Sequence, residues 1–96
     1  NKEFKQFFDT EADNAIKEYQ RVKDRLNNSE KIKSSEYLLY KRTAEIILCF
    51  YAGEDYGRIT KFWSDENPFL QKNLAEDEYD DLKKFITKLP PIAGTI

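Results

Sequence analysis

The sequence predicts an all-α protein, a compact bundle of four to five helices in a single domain of 96 residues. Three observations point there. Apolar residues recur at alternating gaps of three and four, the spacing that lines one face of a helix. Cap and turn residues (Asn, Ser, Gly, Pro) gather between those stretches. Seven Phe, six Tyr and one Trp supply bulky apolar surface for one core, at a size that suits one domain rather than two. The domain is placed at residues 1–91, with Ile92 to Ile96 as an extended tail after Pro90-Pro91.

The first helix is expected from about Lys2 to Asn27. Phe4, Phe8, Ala12, Ala15, Tyr19, Val22 and Leu26 share one stripe of it. Asp9-Thr10 offers an internal start with Thr10 as cap, but one long helix is the favoured reading. Asn27-Asn28-Ser29 ends it, because these side chains compete for local backbone groups.

The second helix is expected after Ser34-Ser35, either of which can cap it, and runs to Ala52. An earlier start at Ser29 would add a turn. From Ile46 to Ala52 it is apolar on nearly every side, the pattern of a buried central helix. Gly53 suits the left-handed position that ends many helices. Glu54-Asp55-Tyr56-Gly57 then reads as a loop.

Ile59, Phe62 and Trp63 suggest a short third helix. Asn67-Pro68 reads as the start of another, since proline at a first helical position loses no needed donor. Asn73 stands three residues before Glu76, a variant capping box, and predicts the start of the final helix. Acidic residues (Glu76, Asp77, Glu78, Asp80, Asp81) come early there and Lys83, Lys84 and Lys88 late, matching the helix dipole. Tyr79, Leu82, Phe85, Ile86 and Leu89 form its expected buried stripe, so Phe85→Asp is expected to unfold it.

Composition excludes much chemistry. The chain has no His, which removes imidazole acid–base catalysis and every His-containing metal site. Its single Cys, Cys49, can form no internal disulfide and reads as a small core hydrophobe. Three glycines form no phosphate-cradling loop. The longest apolar run, Ile46 to Ala52, falls far short of the ~20 residues that span a bilayer. No signal peptide is legible, and the cytoplasm is the expected compartment. Carboxylates four apart, Asp77 with Asp81 and Glu76 with Asp80, share helix faces. The helix dipole explains them without a metal, so no cofactor and no metal site is expected.

Charge is uneven beneath a net −2. Lys17 to Arg42 carries eight basic and four acidic side chains; Gly53 to the end carries six basic and nine acidic. The leading expectation is therefore a non-enzymatic protein that binds another protein through its acidic C-terminal half, a surface that suits a basic partner. An inhibitor, immunity or regulatory role fits it. Glu54, Asp55, Tyr56, Asp65 and Glu66 are its candidate contacts, with Tyr56 as anchor and Trp63 as a second anchor if exposed. The alternative is a nucleic-acid-associated accessory protein. It would grip phosphates with Lys17, Arg21, Arg25, Lys31 and Lys33, although Glu18 is well placed to pair with Arg21. Self-association of helix faces is a further possibility. No family signature is legible in these residues.

Overall fold

The computed structural model describes residues 2–28 and 33–90, with the side chains of 3–28 and 38–90. It holds four helices and no strand among those residues: α1 (Lys2–Asn27), α2 (Lys33–Ala52), α3 (Tyr56–Asn73) and α4 (Glu76–Lys88). They form one globule of 42 × 27 × 18 Å with a radius of gyration of 13.4 Å. At ~1.5 Å per residue, the 26 residues of α1 set the long axis.

From Ala12 onward the α1 stripe read from sequence is the core-facing one; Phe4, expected at its start, is corrected to the exposed side at 59%. Ala12, Ala15, Tyr19 and Val22 are buried and Leu26 packs against them. The helix does not break at Thr10, whose hydroxyl donates back to the Gln6 carbonyl at 3.0 Å. α1 packs chiefly on α2, and the two run antiparallel, with Phe8 near the start of α1 meeting Gly53 after the end of α2.

α2 is central, touching all three other helices. Leu39, Thr43, Ile46, Ile47 and Phe50 are buried, and the Thr43 hydroxyl is satisfied by the Leu39 carbonyl at 2.7 Å. The expectation of burial on every side is corrected at Leu48, which is 51% exposed. Three neighbouring helices leave one face of α2 open. Ser34 and Ser35 lie within α2 rather than at its cap. A start at Ser29 and the tail from Ile92 lie outside the described residues.

The turn after α2 is shorter than expected. Gly53 and Glu54 bond back to the Cys49 and Tyr51 carbonyls. Glu54, not Gly53, takes the left-handed conformation, at φ 59°. Glycine at 53 instead permits a close approach: a Cβ there would stand 3.2 Å from Phe8 Cβ. Tyr56 and Gly57 already belong to α3.

α3 corrects the two-helix reading of residues 59–73. It is one helix of 18 residues with Pro68 inside it. Interior proline costs roughly 3 kcal/mol. Burial of Ile59 and Trp63 before it and Leu70 after it outweighs that, each large side chain contributing about 1.5–3 kcal/mol. Asn73 likewise ends α3 instead of capping α4, its amide donating to the Phe69 carbonyl at 2.9 Å. Leu74 is pulled into the core and fixes that ending. Ala75 occupies the N-cap of α4 without a side-chain bond, and the first turn relies on Glu76, Asp77 and Glu78.

α4 buries Tyr79, Leu82 and Ile86. Phe85 is 37% exposed, which corrects its place in the stripe. Tyr79 stacks on Trp63 with ring centroids 5.6 Å apart, and its hydroxyl donates to Asn67 Oδ1. Asn67 is thus a link to α4, not a helix start. Trp63 is 3% exposed and cannot anchor a partner.

Candidate functional site

The five residues expected to meet a partner are dispersed along the second half of the chain. Glu54 is exposed in the α2–α3 turn. Asp55 precedes α3 and faces Arg58 at 3.9 Å. Tyr56 is half-buried, edge-on to Tyr51 with centroids 5.6 Å apart. Asp65 and Glu66 lie two to three turns further along α3, about 14 Å away at helical rise.

Asp65 pairs with Lys61 across one turn at 2.7 Å, which holds that ammonium above its ordinary range. Glu66 points inward. Its Oε1 accepts the Tyr19 hydroxyl and the Lys23 ammonium, each at 2.7 Å. Burial first, and then this carboxylate, push the Tyr19 phenol far above its usual value. Lys23 also lies over the Phe69 ring at 5.0 Å. Glu66 therefore joins α1 to α3, a role that spacing along the chain does not indicate.

The start of α4 is different. Glu76, Asp77, Asp80 and Asp81 are exposed and Glu78 is half-buried. None of the five forms a salt bridge among the described residues. Among the described residues the one hydrogen bond of these five side chains is local, Asp77 Oδ1 accepting the Glu78 N–H at 3.0 Å. In the sequence alone the helix dipole accounts for these residues. The signal was present in five carboxylates within six positions, but only the fold shows that no described lysine folds back onto them.

The basic candidates fare unevenly. Lys17, Arg21 and Arg25 are exposed on α1. Arg21 pairs with Glu18 at 2.9 Å, as the spacing suggests. Lys31 and the Lys33 side chain lie outside the described residues. Arg42, on α2, is tied to Glu45 at 3.0 Å. Between α1 and α2 runs a shallow groove bordered by Glu18, Arg21, Arg25 and Arg42 at one end and by Glu11, Glu45 and Cys49 at the other. Cations and carboxylates are mixed along it, so it offers no continuous phosphate track.

Cys49 is half-buried rather than fully packed. Burial, Glu11 and Glu45 all push its thiol upward, away from the thiolate that nucleophilic chemistry requires. Among the described residues no three Cys, Asp or Glu side chains gather as a metal site would need. No described helix is long and apolar enough to cross a membrane. No known family matches this chain, nor does any curated protein or solved structure.

Proposed function

We propose that this chain is a non-enzymatic protein that works by binding another, basic protein through its acidic C-terminal surface, in an inhibitory, immunity or regulatory role. The observation that carries this reading is the group of five carboxylates opening α4, with no cation paired to them among the described residues. Several acids elsewhere are paired with cations: Asp65 with Lys61, Glu66 with Lys23, Glu45 with Arg42 and Glu18 with Arg21. A surface left uncompensated raises the encounter rate with a basic partner and discourages acidic ones. Within this reading Glu54 and Tyr56 remain candidate contacts, whereas Asp65 and Glu66 serve internal pairs.

A pull-down comparing wild type with the triple variant Asp77→Asn, Asp80→Asn, Asp81→Asn tests it. All three side chains are exposed, so the fold should persist. Partners retained at low salt are expected to be lost with the variant, and an unchanged set would refute the surface. The nucleic-acid alternative finds less support, because Glu11, Glu18 and Glu45 are interleaved with the cations along the α1–α2 groove. Its check is a mobility shift on DNA and RNA at low and raised salt.

A further inference from the structure

α1 carries a second heptad stripe beside the one that enters the core. Phe4, Phe7, Glu11, Asn14, Glu18, Arg21 and Arg25 follow one another at gaps of three and four. Such spacing keeps side chains on one seam of a helix, the seam along which a second helix can lie. The core stripe is covered by α2; this one borders the open α1–α2 groove. Phe4 and Phe7 are 59% and 56% exposed, the two most exposed large apolar side chains among the described residues. Each leans edge-on against Phe8, with centroids 4.8 and 5.1 Å apart, forming a small aromatic platform at the start of the helix.

The order of chemistry along this seam is self-complementary. From Phe7 onward it runs aromatic, acidic, amide, acidic, basic, basic. Laid antiparallel on itself about Ile16, Phe7 faces Arg25, Glu11 faces Arg21 and Asn14 faces Glu18, each match occurring twice. These are a cation over a ring, an ion pair and an amide–carboxylate hydrogen bond. A two-fold interface requires that kind of reciprocity, residue i meeting j and j meeting i. We infer that the occupant of this seam is a second copy of this chain, docked antiparallel through the outer stripe of α1.

The existing Glu18–Arg21 pair does not oppose this. The Arg21 side chain is 75% exposed, and a guanidinium has five donors, enough for Glu18 of its own chain and Glu11 of the second copy. A uniformly basic partner would meet Arg21 and Arg25, and a uniformly acidic one would meet Glu11 and Glu18. Only a partner of mixed and reversed order matches the seam from Phe7 to Arg25, and this chain supplies that order itself. The seam is separate from the α4 surface, and neither depends on the other.

The test is sedimentation equilibrium on the full chain across micromolar concentrations. Wild type is expected to show reversible dimerisation that weakens with salt. Glu11→Arg alone and Arg21→Glu alone each place like charges opposite one another twice and should weaken the dimer by at least about tenfold. Mixing the two variants sets the two introduced charges, now of opposite sign, against each other. The native Glu11 of one chain then meets the native Arg21 of the other, so the mixture should recover a dimer near wild-type affinity. Circular dichroism of each variant confirms that the helices persist. A wild type that stays monomeric throughout overturns the proposal. So do single variants that dimerise as well as wild type, or a mixture that fails to associate.

Discussion

The Tyr19 hydroxyl donates to Glu66 Oε1 at 2.7 Å, joining the middle of α1 to α3 beside the Lys23 ammonium. The two residues lie 47 positions apart in the chain. Tyr19 is 2% exposed, and its ring meets Phe62 and Phe69 edge-on. One polar contact thus sits inside an aromatic cluster that holds α1 against α3.

Removing that hydroxyl should weaken the fold modestly and change its response to alkali. Tyr19→Phe is expected to cost about 1–2 kcal/mol in urea unfolding at neutral pH, because Glu66 keeps Lys23 but loses one donor. Burial and Glu66 raise the Tyr19 phenol in the folded state. Above roughly pH 10 the unfolded chain releases this proton while the folded chain keeps it. The unfolded state then binds fewer protons, so stability is fully present below that pH and falls as pH rises above it. Urea midpoints from neutrality to strong alkali should fall more steeply for wild type than for Tyr19→Phe. Parallel slopes would contradict the assignment.

Two neighbours on α4 should differ in how much they tolerate. Ile86 is fully buried, and Ile86→Ala should cost about 2–5 kcal/mol. Phe85 is 37% exposed, so Phe85→Asp should lower the melting temperature far less. Thermal melts followed by circular dichroism rank the two. Equal losses would mean that α4 is rotated about its own axis relative to this packing.

The glycines give a second contrasting pair. Gly53→Ala places a Cβ 3.2 Å from Phe8 Cβ, so α1 and the end of α2 must move apart slightly; a loss of about 1 kcal/mol is expected. Gly57 lies within α3 with nothing within 4 Å of the added atom. Gly57→Ala should gain about 0.5–1 kcal/mol by stiffening the unfolded chain and favouring helix. Denaturant midpoints of opposite displacement would bear this out; a stabilised Gly53→Ala would not.

Replacing Pro68 should raise stability. It is exposed and interrupts the hydrogen-bond ladder of α3. Pro68→Ala restores a donor and should stabilise by about 1–3 kcal/mol, an increment already reduced by the looser unfolded chain. Urea unfolding decides the sign. A destabilised variant would show that the proline ring packs usefully where it stands.

Local patterning was enough to set the helix class and the faces of the regular helices. In α1, gaps of three and four from Phe8 to Leu26 leave only one face for the core, and from Ala12 onward that face is the buried one. In α4, acids first and lysines last mark the direction of the dipole, and Tyr79, Leu82 and Ile86 are buried as spaced. The acidic bias of the C-terminal half was legible too, as a count of charges.

Which of those charges remain available, and where α3 ends, came from packing between helices. Asn67-Pro68 and Asn73 are sound local start signals, worth about 1 kcal/mol for a cap and up to about 3 for proline. They yield because Trp63, Leu70 and Leu74 must all reach one core, and burying them together outweighs either signal. Glu66 looks on paper like Asp65 beside it. Helical rotation turns one toward Tyr19 and Lys23 and leaves the other with Lys61. Periodicity fixes a residue's angle on its own helix, but the neighbours at that angle are set by contacts between distant segments, and those contacts decide which carboxylates a partner can reach.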